Sequence, residues 1–144
     1  MKVLLDVNVV IDVLERRPAF FANSYAVLQA VAGGRVEGFV AAGSIADIHY
    51  ILRRAGLTAG QARMALASLI QIVEVGDTTA ADINDALVSP MTDPEDALLA
   101  ACAKRLRADY IVTRDGKDFV NSPVPAITPA QLLTLASLAR LAPG

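Results

Sequence analysis

Five short runs, "KVLL" at 2–5, "VEGFVA" at 36–41, "IVEV" at 72–75, "DYIVT" at 109–113 and "PAI" at 125–127, are apolar along most of their length. A strand with one wet face alternates apolar and polar residues. Strands that are apolar throughout are covered on both faces, which happens when crossover helices pack on the two sides of a parallel sheet. The intervening segments have the helical spacing that this requires. "VNVVIDVLE" turns helical after the first run. A second helix fits Phe21–Ala32 and is closed by Gly33 and Gly34. Further helices are expected over Ser44–Arg54, Thr58–Gln71, Thr79–Val88 and Pro94–Arg107, and from Thr128-Pro129 through about Leu141. No repeat or flexible linker divides the 144 residues. The expectation is one three-layer α/β/α domain over residues 1–144, with a central parallel sheet of about five strands, burying roughly 70% of its surface.

Ligands of such sheets bind outside the carboxyl ends of the strands, and that is where acids fall. Asp6 ends the first run, Asp47 and Asp96 belong to helices that start at this edge, and Asp115 and Asp118 follow "DYIVT". Each has an ordinary explanation. Asp6 caps a helix, "SIAD" reads as a capping box from Ser44 to Asp47, "DPED" as a capped start with Pro94 first, and "RDGKD" as a turn. Right-handed crossovers nevertheless bring Asp6, Asp47, Asp96 and Asp115 to one rim, and crowded carboxylates repel. Capping requires no such convergence, whereas a hard cation such as Mg²⁺ or Mn²⁺ does. The helix N-termini are expected to help keep Asp47 and Asp96 ionised.

Composition narrows the function classes. Aromatics are 5% of the chain and tryptophan is absent, which disfavours base stacking, and the net charge of −2 gives no global attraction to nucleic acid. With the site acids set aside, the remainder is net basic. Arg53, Arg54, Arg114 and Lys117 flank the acids and are expected to gather round the same rim as phosphate contacts. His49, the only histidine, should face away from Asp47. Cys102 is the only cysteine, so neither an internal disulfide nor a zinc knuckle can be built, and it reads as a buried thiol. Asp6 interrupts the first apolar run too early for a signal peptide, and no run approaches the roughly 18 residues of a membrane span. A cytoplasmic protein with no membrane partner is expected. The hydrophobic content of 54% exceeds what one small core needs and points to a homodimer.

"LLDVNVVID", "SIADIHYILRR", "DPEDALLAACAKRLRADYIVTRDGKDF" and "VPAITPAQLL", in this order, resemble the PIN-domain nuclease family from Lys2 to Leu133, nearest to small bacterial PIN proteins that include the VapC-like toxins. The resemblance implies a metal-dependent endoribonuclease, an RNA substrate and, for a toxin, an antitoxin partner. It implies that Asp6, Asp47, Asp96 and Asp115 are catalytic, with Asp6, Asp96 and Asp115 holding Mg²⁺ or Mn²⁺. Asn8, Ser44, Thr113 and Asp118 match supporting positions. Many members carry Glu where this chain has Asp47, and sequences of this branch often have Asn in place of Asp115. Two other readings compete. A receiver-like phosphoryl acceptor needs paired acids after the first strand, and only Asp6 is present there. A non-catalytic RNA- or protein-binding module would retain the acids as caps.

Overall fold

Val3, Leu4 and Leu5 are fully buried, and their strand β1 (Lys2–Leu5) is the middle strand of a five-stranded parallel sheet. In this computed structural model, which describes residues 1–141 with side chains through Ala139, β1 pairs on one side with β2 (Glu37–Ala41) and on the other with β4 (Tyr110–Val112). Residues 142–144 of the expected domain lie outside the described residues. The outer strands are β3 (Glu74–Gly76) and β5 (Ala126–Ile127), giving the order β3-β2-β1-β4-β5. The three-layer α/β/α architecture expected from the apolar runs is the one found. The order differs from the 2-1-3-4-5 arrangement of receiver-type sheets, which removes that alternative.

Side-chain alternation along β1 divides the interior into two layers. Val3 and Leu5 face a core built with α1 (Val7–Leu14), α2 (Phe21–Ala32), α3 (Ala42–Arg54), α4 (Ala59–Leu69) and α7 (Pro129–Leu141). Leu4 faces the opposite core, with Phe39 and the small residues of α6 (Pro94–Arg105), beside α5 (Ala80–Leu87). A one-residue slip of β1 would exchange these faces, so the register is fixed by burial. Gly38 of β2 is needed for the same close packing, because a Cβ there would lie 2.6 Å from Val31 Cγ2 of α2. Cys102 is buried in α6, and burial pushes its thiol pKa up, as expected of an inert thiol. No helix among the described residues is long and apolar enough to cross a membrane.

Two local expectations are corrected. The third strand was expected at 72–75 but forms at 74–76. Ile72 and Val73 are used in ending α4, their N–H groups both donating to the Leu69 carbonyl at 2.9 and 3.0 Å. "SIAD" is not a capping box. Helix α3 begins directly from β2 at Ala42, the Gly43 N–H donates to Thr78 Oγ1 at 3.0 Å, and Asp47 lies beyond the first turn. The first shift is a local helix ending that extends past α4, and the second arises from a partner 35 residues away that local spacing does not contain.

The chain leaves β1 for β2 and β3 on one side and returns for β4 and β5 on the other. The crevice of an open α/β sheet therefore falls between the carboxyl ends of β1 and β4. Asp6 follows β1, and Thr113, Arg114 and Asp115 follow β4.

Candidate active site

Asp6 has two tasks on its two oxygens. Oδ1 accepts the Val7 N–H at 2.8 Å, capping α1. Oδ2 accepts the Thr113 hydroxyl at 2.8 Å and lies 3.4 Å from Asn8 Nδ2. The Asn8 amide also reaches Thr113 Oγ1 at 3.2 Å and Asp115 Oδ2 at 3.1 Å, while its Oδ1 accepts the Arg114 N–H at 3.3 Å. Asn8 thus joins the ends of β1 and β4 and sets the directions of Asp6 and Asp115. Asp6 is thus a helix cap on one oxygen and a carboxylate joined to the β4 end on the other.

A cleft of about 250 Å³ opens at this edge, lined by Asp6, Ser44, Asp47, Glu95 and Asp96 with Tyr50 at its margin. Ser44 is buried in its wall and Asp47 is exposed. Asp93 caps α6, its Oδ1 accepting the Glu95 N–H at 2.7 Å and the Asp96 N–H at 3.4 Å, with Pro94 in the first turn as expected. That leaves the carboxylates of Glu95 and Asp96 for the cleft. Glu95 was overlooked in the sequence because the second residue of a helix reads as ordinary first-turn charge. Asp96 also borders an adjoining cleft with Lys117 and Asp118. The four acids expected at the rim are therefore found there, with Asp115 attached through Asn8.

Electrostatically the site is strained. Burial pushes the Asp6 carboxyl pKa up against the opposing hydrogen bonds from Thr113 and Val7, and the charges of Asp115 and Asp118 add to the rise. Glu95 is raised by burial and then by the adjacent Asp47 charge. Burial, followed by repulsion from Asp93, Asp6, Asp118 and Glu95, pushes Asp96 up to about 6. The direction is opposite to that expected from the N-terminus of α6, because desolvation and four like charges outweigh a helix dipole whose effect is screened and short-ranged.

The sign of the consequence follows. With a folded pKa of about 6 and an unfolded value near 3.8, the folded state binds more protons between those limits. Stability from this group is present at low pH and is lost as pH rises through 6. Metal-free protein is expected to unfold at lower urea at pH 7 than at pH 5, with Asp96 contributing on the order of 1 kcal/mol after discounting for its partial exposure. Asp96→Asn should flatten that difference. An unchanged pH dependence in the variant would reject the repulsion account.

The basic residues are distributed differently from expectation. Lys117 is at the rim. Arg53 and Arg54 are in the last turn of α3, roughly 16–18 Å along the helix from the edge where it begins. Arg53 is exposed there, and Arg54 turns back to donate to the Tyr50 hydroxyl at 3.1 Å, reaching only the outer margin of the cleft. Arg114 is committed to a partner that the sequence did not reveal. Its Nε donates to Oδ2 of fully buried Asp12 at 2.7 Å, and its guanidinium lies 3.9 Å from the centroid of the Phe20 ring.

Solved structures share the fold. A chain of the VapBC2 complex from Rickettsia felis, solved bound to a DNA fragment from their promoter, superposes with a TM-score of 0.71 at 18% identity, covering 89% of this chain and 98% of that one. FitAcB from Neisseria gonorrhoeae gives 0.61 at 22% identity over 89% and 98%. A toxin–antitoxin complex from Klebsiella pneumoniae gives 0.67 at 18% identity over 88% and 97%. At such identities the likeness establishes the fold. No curated protein matches. A family model described as PIN domain matches residues 2–117. Because that match runs from the first strand through the turn carrying Asp115, the chain belongs to the PIN domain family.

Proposed function

We propose that the protein is a metal-dependent endoribonuclease, with Asp6, Asp96 and Asp115 as ligands of Mg²⁺ or Mn²⁺ and Asp47 acting with them in catalysis. The observation that carries this reading is the gathering of Asp6, Asp47, Glu95 and Asp96, from separate elements, round one cleft at the strand ends. The raised proton affinities of Asp6, Glu95 and Asp96 are a cost that helix capping alone does not require. The donor chemistry fits the ion. All the donors are carboxylate, amide or hydroxyl oxygens, and a positive charge would relieve their repulsion. Among the described residues no three acidic, histidine or cysteine side chains form a ready-made cage. An ion held by all three of Asp6, Asp96 and Asp115 therefore requires these side chains to draw together on binding, with waters and a substrate phosphate completing the shell of Mg²⁺. When bound, the ion supplies an activated water and charge stabilisation at the phosphate.

The chain's own groups prepare the reaction. Thr113 and Asn8 hold Asp6 Oδ2, and Asn8 holds Asp115, so neither carboxylate has to search for its direction. Asp118 beside the rim supports the same negative field, and Ser44 shapes the cleft wall. Lys117 shares a cleft lining with Asp96 and Asp118, which supports it as a contact for an approaching phosphate. The toxin–antitoxin complexes among the structural neighbours support a protein antitoxin as partner. The exposed Leu87 (72%) and Val88 (84%) at the end of α5 support a homodimer.

The test is incubation of purified protein and Mn²⁺ with varied single-stranded RNAs and matching DNAs. Cleavage of RNA with DNA spared is the expected result. RNA binding without cleavage of any RNA would instead favour a non-catalytic binding module.

A further inference from the structure

A second opening is bordered by Asp115, and its volume of about 410 Å³ exceeds that of the acid cleft and falls within the range of small-ligand sites. Phe20, Asn23, Arg114, Asp115 and Thr128 line it. We propose that this cleft is a nucleobase subsite, holding one unpaired base of a single-stranded RNA beside the phosphate handled by the acids. The proposal rests on the ribonuclease reading and deepens it.

The platform is built in place. Asp12 is fully buried, accepts Arg114 Nε at 2.7 Å through Oδ2, and accepts the Ser24 hydroxyl at 3.1 Å through the same oxygen. With one edge tied down and the Phe20 ring 3.9 Å away, the guanidinium plane is fixed. No partner for its Nη atoms is found among the described residues. Phe20 remains 42% exposed. A structural ion pair alone would be served by a ring packed shut against it. Here the guanidinium covers one face of the Phe20 ring while the ring stays partly exposed, so a flat aromatic surface of the kind that bases stack on borders an open cleft. Asn23 is exposed in the same wall, and its amide offers both a donor and an acceptor to a base edge. Asp115 lines this cleft and is joined through the Asn8 amide to Asp6, which lines the acid cleft, so the two openings are linked by a short hydrogen-bonded chain. The Arg114 charge is offset by its Asp12 partner, so the Asp115 charge leaves the cleft net negative and makes a neutral base a better occupant than a bare phosphate. A base still paired in a duplex would have to leave its stack to enter. Low overall aromatic content argues against stacking along a strand, but one aromatic suffices for one base.

The experiment combines Phe20→Ala, Phe20→Leu and Asn23→Ala with RNA substrates in which one abasic nucleotide is moved stepwise across the cleavage position. Phe20→Ala is expected to raise KM about tenfold with kcat within about twofold. Phe20→Leu, which retains apolar packing under Arg114, should show most of that loss. With the abasic nucleotide at one particular position, wild type and Phe20→Ala should become equal within about twofold, and Asn23→Ala should alter base preference at that position alone. Equal KM for Phe20→Ala and wild type, or a loss that persists whichever base is removed, would overturn the subsite. The same series read as affinity in an Asp96→Asn background needs no cleavage. Base-dependent loss of binding there, in a protein whose wild type cuts no RNA, would keep the subsite and reject the nuclease.

Discussion

Asp96→Asn is expected to lower RNA cleavage by at least about a hundredfold, the scale of removing one preorganised group from an active centre, while the protein remains folded. The substitution separates two roles that coincide in the sequence. As a cap, position 96 contributes its backbone N–H to Asp93 Oδ1, which Asn supplies equally well. As a ligand it contributes a negative charge beside Asp6, which Asn does not. Because the Asp96 carboxyl is pushed up to about 6 by burial and its neighbours' charges, the metal-free variant should be as stable as wild type at pH 7 or more so. Lost activity with retained or increased stability is the signature of a group positioned for chemistry at a cost to the apo fold. Full activity at equal purity would return Asp96 to the status of a helix-start residue.

The largest stability effect is expected away from the cleft. Asp12→Ala should cost about 3 kcal/mol, the low end for removing one partner of a buried pair because Arg114 retains 21% side-chain exposure. The Arg114 guanidinium would remain over Phe20 without its carboxylate, and Ser24 would lose its acceptor. That is a large share of a typical domain stability of about 5–15 kcal/mol. Glu15→Ala is the control. It removes a more exposed pair with Arg17 at 3.1 Å and should cost less than about 1 kcal/mol. Urea denaturation of both variants decides the matter, and similar midpoints would show that the Asp12 pair carries no special weight. Since Asp12 and Asn8 are four residues apart on α1 and both hold the 113–115 turn, the same loss of anchoring should loosen Asp115.

What was legible follows from how information is carried along the chain. The layers were readable because β1 is apolar on both faces and its flanking segments change periodicity, both of which are local properties. Asp6, Asn8, Asp96, Thr113 and Asp115 were readable because each sits at an element boundary, where parallel topology fixes its edge of the sheet. Asp12 was not, since an acid inside an amphipathic helix reads as solvent-facing until its partner 102 residues away is known. Arg54 and Arg114 were assigned to the rim by distance along the chain. A helix running back from the strand ends leaves Arg54 touching the site only through Tyr50, and Asp12 holds Arg114 in the cleft beside Asp115. The Ser44 to Asp47 box failed for a related reason, since the Gly43 N–H at that helix start meets Thr78 rather than a side chain of its own turn.

The central claim is that the acids at the ends of β1 and β4 work through a bound divalent cation. The most direct measurement is single-stranded RNA cleavage by protein stripped with chelator, before and after addition of Mn²⁺, with Asp96→Asn treated in parallel. The account predicts no cleavage in chelator, recovery in wild type on Mn²⁺ addition, and no recovery in the variant. Cleavage that continues undiminished after thorough chelation would contradict it.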